Sequence, residues 1–549
     1  MPKVIVLGGY GGFGARLCRR LAHDGWQVLV AGRRGEAAAN FAATIECGLP
    51  LQLDRNGDIV PVLIEHHPAL LIDATGPFQS SSYNVVEACL TARVHYYDFA
   101  DSRAFVCGID QFDERARLAG IAVISGSSSV PALSQAVADS LASGFDRVEQ
   151  VDAAISASSR TIATRSVSAA AMSYAGQPIP FWRAGRWTTG TGGQCLKRLT
   201  YRAGGKTLKR SVALADIPDL ALGPDRFPGK PSTIFRAGPD FRLQLFGLWL
   251  LSWLVRWGWV NSLAKWNGAI LPLQRLFALF GGERSAMSVN VTGRTFEKFE
   301  SRSWQLIAES GDGPEVPVLA AQLIARKVAA DQLQAGARTA AGELELAEFE
   351  ALFEELDIKT QVHITELVPL YRRALRERYS VLPPPVRDLH DSVADSGAIG
   401  EGQVKRGPSI FARILATIMR FPPAGNYELH VGFAVEDGRE RWTRDFGGHR
   451  FSSELSQDGD GVIERFGSLR FHFNLKPSPD RLRMLLRKWS LFNIPVPLFL
   501  APRIEASESA EGDQFRFDVR VSYPLLGPIV HYDGRLQRIQ GMCSTADHG

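Results

Sequence analysis

The chain has 549 residues, 45% hydrophobic and 22% charged, an ordinary folded composition long enough for two to four domains. Its 62 basic residues face 58 acidic ones, and the resulting formal charge of +4 gives no global case for nucleic-acid binding. The six cysteines are scattered with no Cys-x-x-Cys pair, so no metal site and no disulfide framework is expected, and a reducing compartment fits best. The N-terminus opens on a strand pattern without signal-peptide features, which reads as cytoplasmic.

Residues 3 to 7, Lys-Val-Ile-Val-Leu, form a short apolar run of the kind buried in a parallel sheet. Helical spacing follows from Ala15, with Leu17 and Leu21 one turn apart. Between them stands GGYGGFG. Gly9, Gly11 and Gly14 fit G-x-G-x-x-G, and Gly8, Gly11 and Gly14 fit G-x-x-G-x-x-G. In a strand–turn–helix setting such glycines allow the tight turn, admit a pyrophosphate to the main chain and let helix and strand pack closely. The N–H groups of Gly12, Phe13 and Gly14 at the helix start then suit phosphate oxygens. A dinucleotide is expected here.

The second strand, in WQVLVAGRR, ends at Gly32, Arg33 and Arg34. NAD sites usually carry an acid at this point to hold the ribose hydroxyls. Two arginines instead suit a 2′-phosphate, which favours NADP over NAD, although arginines on a solvated turn would read the same way. Further apolar runs end at Asp54, at Asp73 to Pro77 and at Ser125 to Gly126, separated by helical stretches. This alternation predicts an α/β Rossmann domain with a doubly wound parallel sheet, whose strand ends carry the ligand chemistry. Asp54, Thr75, Gly76 and Pro77 join the candidate cofactor site on that ground.

These motifs resemble a family. GGYGGFG, AGRR, DATGPFQ followed by VVEACLTARVHYYDFAD, and GSSSVPALSQAVAD are similar to successive signatures of saccharopine dehydrogenase-like NADP-binding proteins, and the likeness runs to about residue 355. The resemblance implies a Rossmann domain, a second domain inserted before the chain returns, and NAD(P)-linked redox chemistry. Arg93 where a glycine is usual, and Ser-Ser-Ser before Val130-Pro131, depart from the pattern and point away from saccharopine-type amino-acid substrates.

Hydride transfer to a carbonyl or imine needs a group that handles a proton as charge develops. The chain holds no Tyr-x-x-x-Lys, HExxH or Gly-x-Ser-x-Gly. The densest proton-handling group is His95, Tyr96, Tyr97, Asp98 and Asp101. Asp98 and Tyr97 are favoured over His95 as catalytic candidates, with satisfaction of a sheet end as the alternative.

Residues 136 to 355 read as an α+β substrate and dimerisation domain, with a mixed or antiparallel sheet over 146 to 235. Arg160, Thr164 and Arg165 could there bind an acidic substrate group. Within it, residues 241 to 280 carry Trp249, Trp253 and Trp257 at helical spacing with interspersed cations, and the uncharged run is shorter than the ~20 residues of a membrane span. The segment suits either a helix lying in a bilayer interface or packing in a core or homodimer. A membrane contact would put the chain at the inner face of the membrane and fit a small, lipid-like substrate.

Residues 366 to 540 show period-2 runs between turn residues, interrupted at 480 to 492 by an expected basic helix. The domain is expected to be mostly antiparallel α+β, a curved sheet around an apolar ligand, with Arg441, Trp442, Arg444 and His449 as candidate polar residues. WTRDFGG, NIPVPLFLAP and PLLGPIVHYDG resemble a domain of unknown function that follows such reductase domains. Residues 541 to 549 read as a disordered tail. Two functions remain: an NAD(P)-dependent oxidoreductase, or a non-catalytic nucleotide-binding protein associated with membrane or lipid.

Overall fold

The computed structural model describes residues 1–162, 165–296, 298–436, 438–524 and 526–539. Seven parallel strands make the first sheet, in the order 336–339, 122–125, 95–98, 70–73, 3–7, 27–32, 48–52. The inner strands are short runs covered on both faces, as Val4 to Leu7 show by their burial, while the edge strand 48–52 is largely exposed. One face packs on Leu17 and Leu21 of the helix Gly12–His23, the other on Leu63, Val86 and Cys89. The strand order reverses between 3–7 and 70–73, which opens a crevice beyond their C-terminal ends. The last strand, Gly336–Thr339, joins only after the chain has built a second domain.

That second domain is a seven-stranded mixed sheet in the order 197–203, 206–214, 232–239, 147–157, 285–294, 299–308, 358–367, in which 232–239 runs parallel to 147–157. The helix Val316–Ala329 carries almost no polar face and is buried along most of its length. One apolar core runs from Val4 and Val6 through Val318 and Leu319 to Val289 and Trp304 of the second sheet. The two domains therefore share their interior.

The third domain is a closed antiparallel barrel. Strands 396–406, 425–436, 439–446, 449–458, 461–466, 469–477, 481–491, 503–511, 514–523 and 527–538 form the ring, with 494–496 hairpinned onto 481–491. The pairing of Leu469–Pro477 with Arg481–Leu491 closes it. Two expectations are corrected. Residues 480 to 492 are a strand, because Leu482 and Met484 point inward between exposed Arg481 and Arg483, and ladder pairing overrides the helix propensity of Leu, Met and Arg. The interior is filled by Phe433, Phe446, Phe451, Phe471, Phe473 and Phe515 rather than left as a lipid cavity.

Among the described residues no helix is long and apolar enough to cross a membrane. The 241 to 280 segment is two helices, Arg242–Arg256 and Asn267–Ala278. Leu245, Ser252 and Val255 face inward, while Phe246, Trp249, Trp253, Trp257 and Trp259 stack in a row with neighbouring centroids 5.3 to 5.9 Å apart. Residues 541 to 549 lie outside the described residues.

Barrel and second domain meet at a buried carboxylate. Glu149 lies between Arg538 at 3.3 Å and Arg147 at 3.1 Å, and Arg538 also donates to the carbonyls of Asp388 and Asp391. Removing one partner of such a group leaves uncompensated charge in the interior. Arg538→Ala is expected to cost about 3 kcal/mol or more, read as an earlier urea midpoint of the tryptophan fluorescence. A loss below about 1 kcal/mol would show that the joint does not depend on this pair.

Candidate active site

The GGYGGFG segment turns between strand and helix under steric constraint. Gly8 has φ +74°, a left-handed conformation that costs glycine little. A Cβ on Gly14 would stand 2.2 Å from the Gly8 carbonyl oxygen, so only glycine lets the helix begin against the turn. The N–H of Gly11 donates to Gly8 and its carbonyl accepts from Ala15, which leaves the first-turn N–H groups from Gly12 onward without intrahelical partners. They face a cleft of about 390 Å³ lined by Gly8, Gly11, Gly12, Phe13, Arg33, Asp54, Thr75 and Gly76 among others. Gly9 lies behind the turn against Val6 and Cys18, and Gly14 under it; both shape the cradle without lining it. Pro77 follows on the loop, after a cis bond from Gly76.

Arg33 and Arg34 are exposed at the end of the second strand, and neither has a carboxylate partner among the described residues. Tyr10, from the middle of the glycine segment, folds onto Gly32, where a Cβ would meet its ring at 2.4 Å. Its hydroxyl accepts the N–H of Arg34 at 3.1 Å, and the Arg34 guanidinium lies 5.5 Å from the ring centroid. Arg55, after Asp54, pairs with buried Asp73 at 3.0 Å and donates to Ser81, joining two strand-end loops at the cleft floor. Tyr10 and Arg55 were not singled out from sequence. An aromatic inside a glycine turn and a cation beside a strand-end acid were the available signals.

The residues expected to carry the chemistry do not converge. His95 stands at the N-terminal end of its strand, opposite Leu70, with Nδ1 accepting the Ala122 N–H at 2.9 Å. It is therefore at the end of the sheet away from the cleft, where burial lowers its pKa. Tyr97 points into the core between sheet and helices, its hydroxyl buried and its pKa raised well above the ordinary value by burial. Asp98 is at the right end, beside Asp73, but is fully buried. Its Oδ1 accepts the N–H groups of Gly126 and Ala100 and the Ser125 hydroxyl, at 2.8, 2.9 and 3.0 Å. Asp98 thus positions two loops.

A different proton-handling cluster lies on the seam between the first and second domains. Arg103 ion-pairs with Asp216 and donates to the carbonyl of Pro180 at 2.6 Å, crossing from one domain to the other. Asp101, three residues past Asp98, accepts from Gln79 at 3.0 Å. Burial raises the pKa of Asp101 and of Asp216, and each carboxylate raises that of Tyr174 further after burial has done so. Arg103, Tyr174 and Asp216 come from distant parts of the chain, and no local spacing joins them. Arg160 pairs with Glu283 at 3.2 Å, and Thr164 and the Arg165 side chain lie outside the described residues. In the barrel, Arg441 and His449 face out, while Trp442 and Arg444 face in, so those candidates form no single site.

Burial pushes the Asp98 carboxyl up from 3.8 to about 6, against the three donors that lower it. With the folded value above the unfolded one, its contribution to stability is full below pH 4 and lost as pH rises through 6. Asn at this position keeps an acceptor for the donors and has no charge to bury. Asp98→Asn is therefore expected to gain on the natural chain by roughly 2 kcal/mol between pH 4 and pH 7, measured as the difference in unfolding free energy at the two pH values. A difference that does not change with pH would contradict this.

Comparison with known proteins agrees with the geometry. Residues 4–124 match the saccharopine dehydrogenase NADP binding domain, and residues 382–536 match a domain of unknown function, DUF4166. No curated protein matches the chain. Among solved structures, an amine dehydrogenase from Mycobacterium smegmatis is similar at 9% identity over 62% of this chain and 95% of its own, with a TM-score of 0.36. Gre2 from Candida albicans, in complex with NADPH, is similar at 15% identity over 18% of this chain and 36% of its own, with a TM-score of 0.16. A 3-hydroxyacyl-CoA dehydrogenase type-2 from Mycobacterium avium matches at 18% identity over 23% of this chain and 71% of its own, with a TM-score of 0.19. One chain thus joins a segment, 4–124, that matches the saccharopine dehydrogenase NADP binding domain to a segment, 382–536, that matches DUF4166.

Proposed function

We propose that the chain is an NADP-dependent oxidoreductase acting on a carbonyl or imine substrate of lipophilic character. The observation that carries the cofactor choice is Arg33 and Arg34, exposed beside the glycine cradle with no carboxylate partner among the described residues. A guanidinium forks onto phosphate oxygens, whereas a ribose 2′-hydroxyl asks for an acid. The cradle supports the same reading: helix-start N–H groups suit the pyrophosphate, and the cleft reaches Thr75 and Gly76 where the nicotinamide half would turn toward the second domain.

Bound NADP would supply or accept the hydride. The protein's own part is to orient the substrate and exchange a proton with the oxygen or nitrogen where charge develops. Asp101 and Tyr174 are the candidates for that proton, with Arg103 holding Asp216 across the seam. Lipophilic character rests on 241 to 280, where Leu243, Phe246, Leu250, Trp257 and Trp259 are exposed, as a membrane contact on the cytoplasmic face would require.

Titration followed by nicotinamide fluorescence tests the cofactor. Arg33→Ala is expected to weaken NADPH binding about 10- to 100-fold and leave NADH within about twofold, as for the loss of one charge-assisted contact. Equal binding of both nucleotides by the natural chain would overturn the NADP assignment. Turnover is tested with NADPH against aldehydes, ketones and imines, long-chain ones included. Asp101→Asn is expected to lower kcat by at least about 100-fold with NADPH affinity unchanged. NADPH binding with no turnover of any compound would favour the non-catalytic reading.

A further inference from the structure

The two ends of the barrel differ in what they meet. One end carries Asp388, Asp391 and Arg538 and is joined to the second domain through Glu149. The strand register also defines what stands at the opposite end. Gly425 lies across from Val404, Phe446 from Leu429, Leu469 from Leu491, and Arg503 from Ser522. The helix Ile410–Ile418, the short turns after Phe446, Phe466 and Tyr523, and the excursion from 491 to 503 therefore emerge together.

This end is apolar outward. The helix seats its small residues, Ala412 and Ala416, on the barrel and turns Ile410, Phe411, Ile414 and Ile418 to solvent, 52 to 72% exposed. An ordinary surface helix does the reverse. From the neighbouring excursion, Phe492, Ile494, Leu498 and Phe499 are 53 to 76% exposed. The loop is held in place: the Trp489 indole donates to the carbonyl of Pro497 at 3.2 Å and the Tyr523 hydroxyl to that of Leu500 at 3.0 Å. Its polar groups are engaged inward, and its large side chains protrude.

The charge around these side chains is predominantly positive. Exposed Lys405, Arg413, Arg420, Arg450, Arg465 and Arg503 stand against exposed Glu428 and Glu505, and Arg413, Arg420 and Arg503 have no ion-pair partner among the described residues. A second copy docked on this end would bring two basic rims together, a repulsion that grows as water is excluded. An anionic lipid surface answers both features at once, taking protruding apolar groups below its headgroups and cations among them.

We propose that this end of the barrel inserts Ile410, Phe411, Ile414, Phe492 and Phe499 into the interface of an anionic bilayer, so that the DUF4166 domain docks the chain on membrane. The argument uses neither the cofactor cleft nor residues 241 to 280. It gives the domain a role that filling of its interior denies it as a lipid carrier.

Sedimentation of the full chain with vesicles tests it, using phosphatidylcholine alone and phosphatidylcholine mixed with phosphatidylglycerol. Binding is expected to the mixed vesicles, weaker to the neutral ones, and falling as salt is raised. The variants F411S/I414S and F492S/F499S are expected to weaken it by about tenfold or more each. The charge reversals R413E/R503E, which remove no packing, are expected to abolish the preference for phosphatidylglycerol. Absence of binding to either vesicle would overturn the proposal. So would binding lost only in W257S/W259S, or a dimer dissociated by the barrel variants in analytical ultracentrifugation. None of these outcomes touches the NADPH titration.

Discussion

The nucleotide cleft depends on two stretches of backbone sharing one small volume. The Gly8 carbonyl stands where a side chain on Gly14 would begin, 2.2 Å from its Cβ position. With that atom absent, the helix starts directly against the strand end, and its unpaired N–H groups open onto the crevice at the reversal of strand order. Gly32 repeats the device on the neighbouring strand, giving the Tyr10 ring a seat and fixing Arg34 above it. Close approach at two glycines decides where phosphate can sit.

The same economy governs how the domains join. The first two share a single apolar core through the helix Val316–Ala329, so neither has a complete interior without the other. Arg103 bridges them on the polar side and gathers Asp216 near Asp101 and Tyr174. The barrel is attached differently, by polar contacts that include Glu149 held between two guanidiniums and the ion pairs of Arg183 with Asp395 and Arg186 with Asp445, rather than by a shared apolar interior. Burial of a carboxylate is tolerated there because both oxygens face a cation.

Much of the first domain was legible because its determinants are local. Apolar runs of four or five residues, glycines at fixed offsets and the two arginines after Gly32 all act within a few residues of each other. Asp98 was placed at the correct strand end, yet its donors Ser125 and Gly126 sit on the next strand, and only the fold shows that its oxygen is spent on them. His95, three residues earlier, falls at the opposite end of the same strand; proximity in sequence misled. Arg103, Asp216 and Tyr174 left no pattern because three distant segments bring them together. In the barrel, alternation identified 425–436, 439–446, 469–477, 514–523 and 527–538 but misread 481–491, where Arg, Leu and Met read as helix and the closing partner lay a turn away.

Closure of the barrel also orders events in time. Its first strand, 396–406, pairs with its last, 527–538, and that last strand also carries the arginine that meets Glu149. During synthesis, the ring stays open along both flanking edges until the segment around 527 to 538 has left the ribosome. Until then the strands expose unpaired backbone, and Glu149 has one cation instead of two. Late emergence of one strand thus sets the moment at which the nascent chain ceases to be a target for chaperones and proteases.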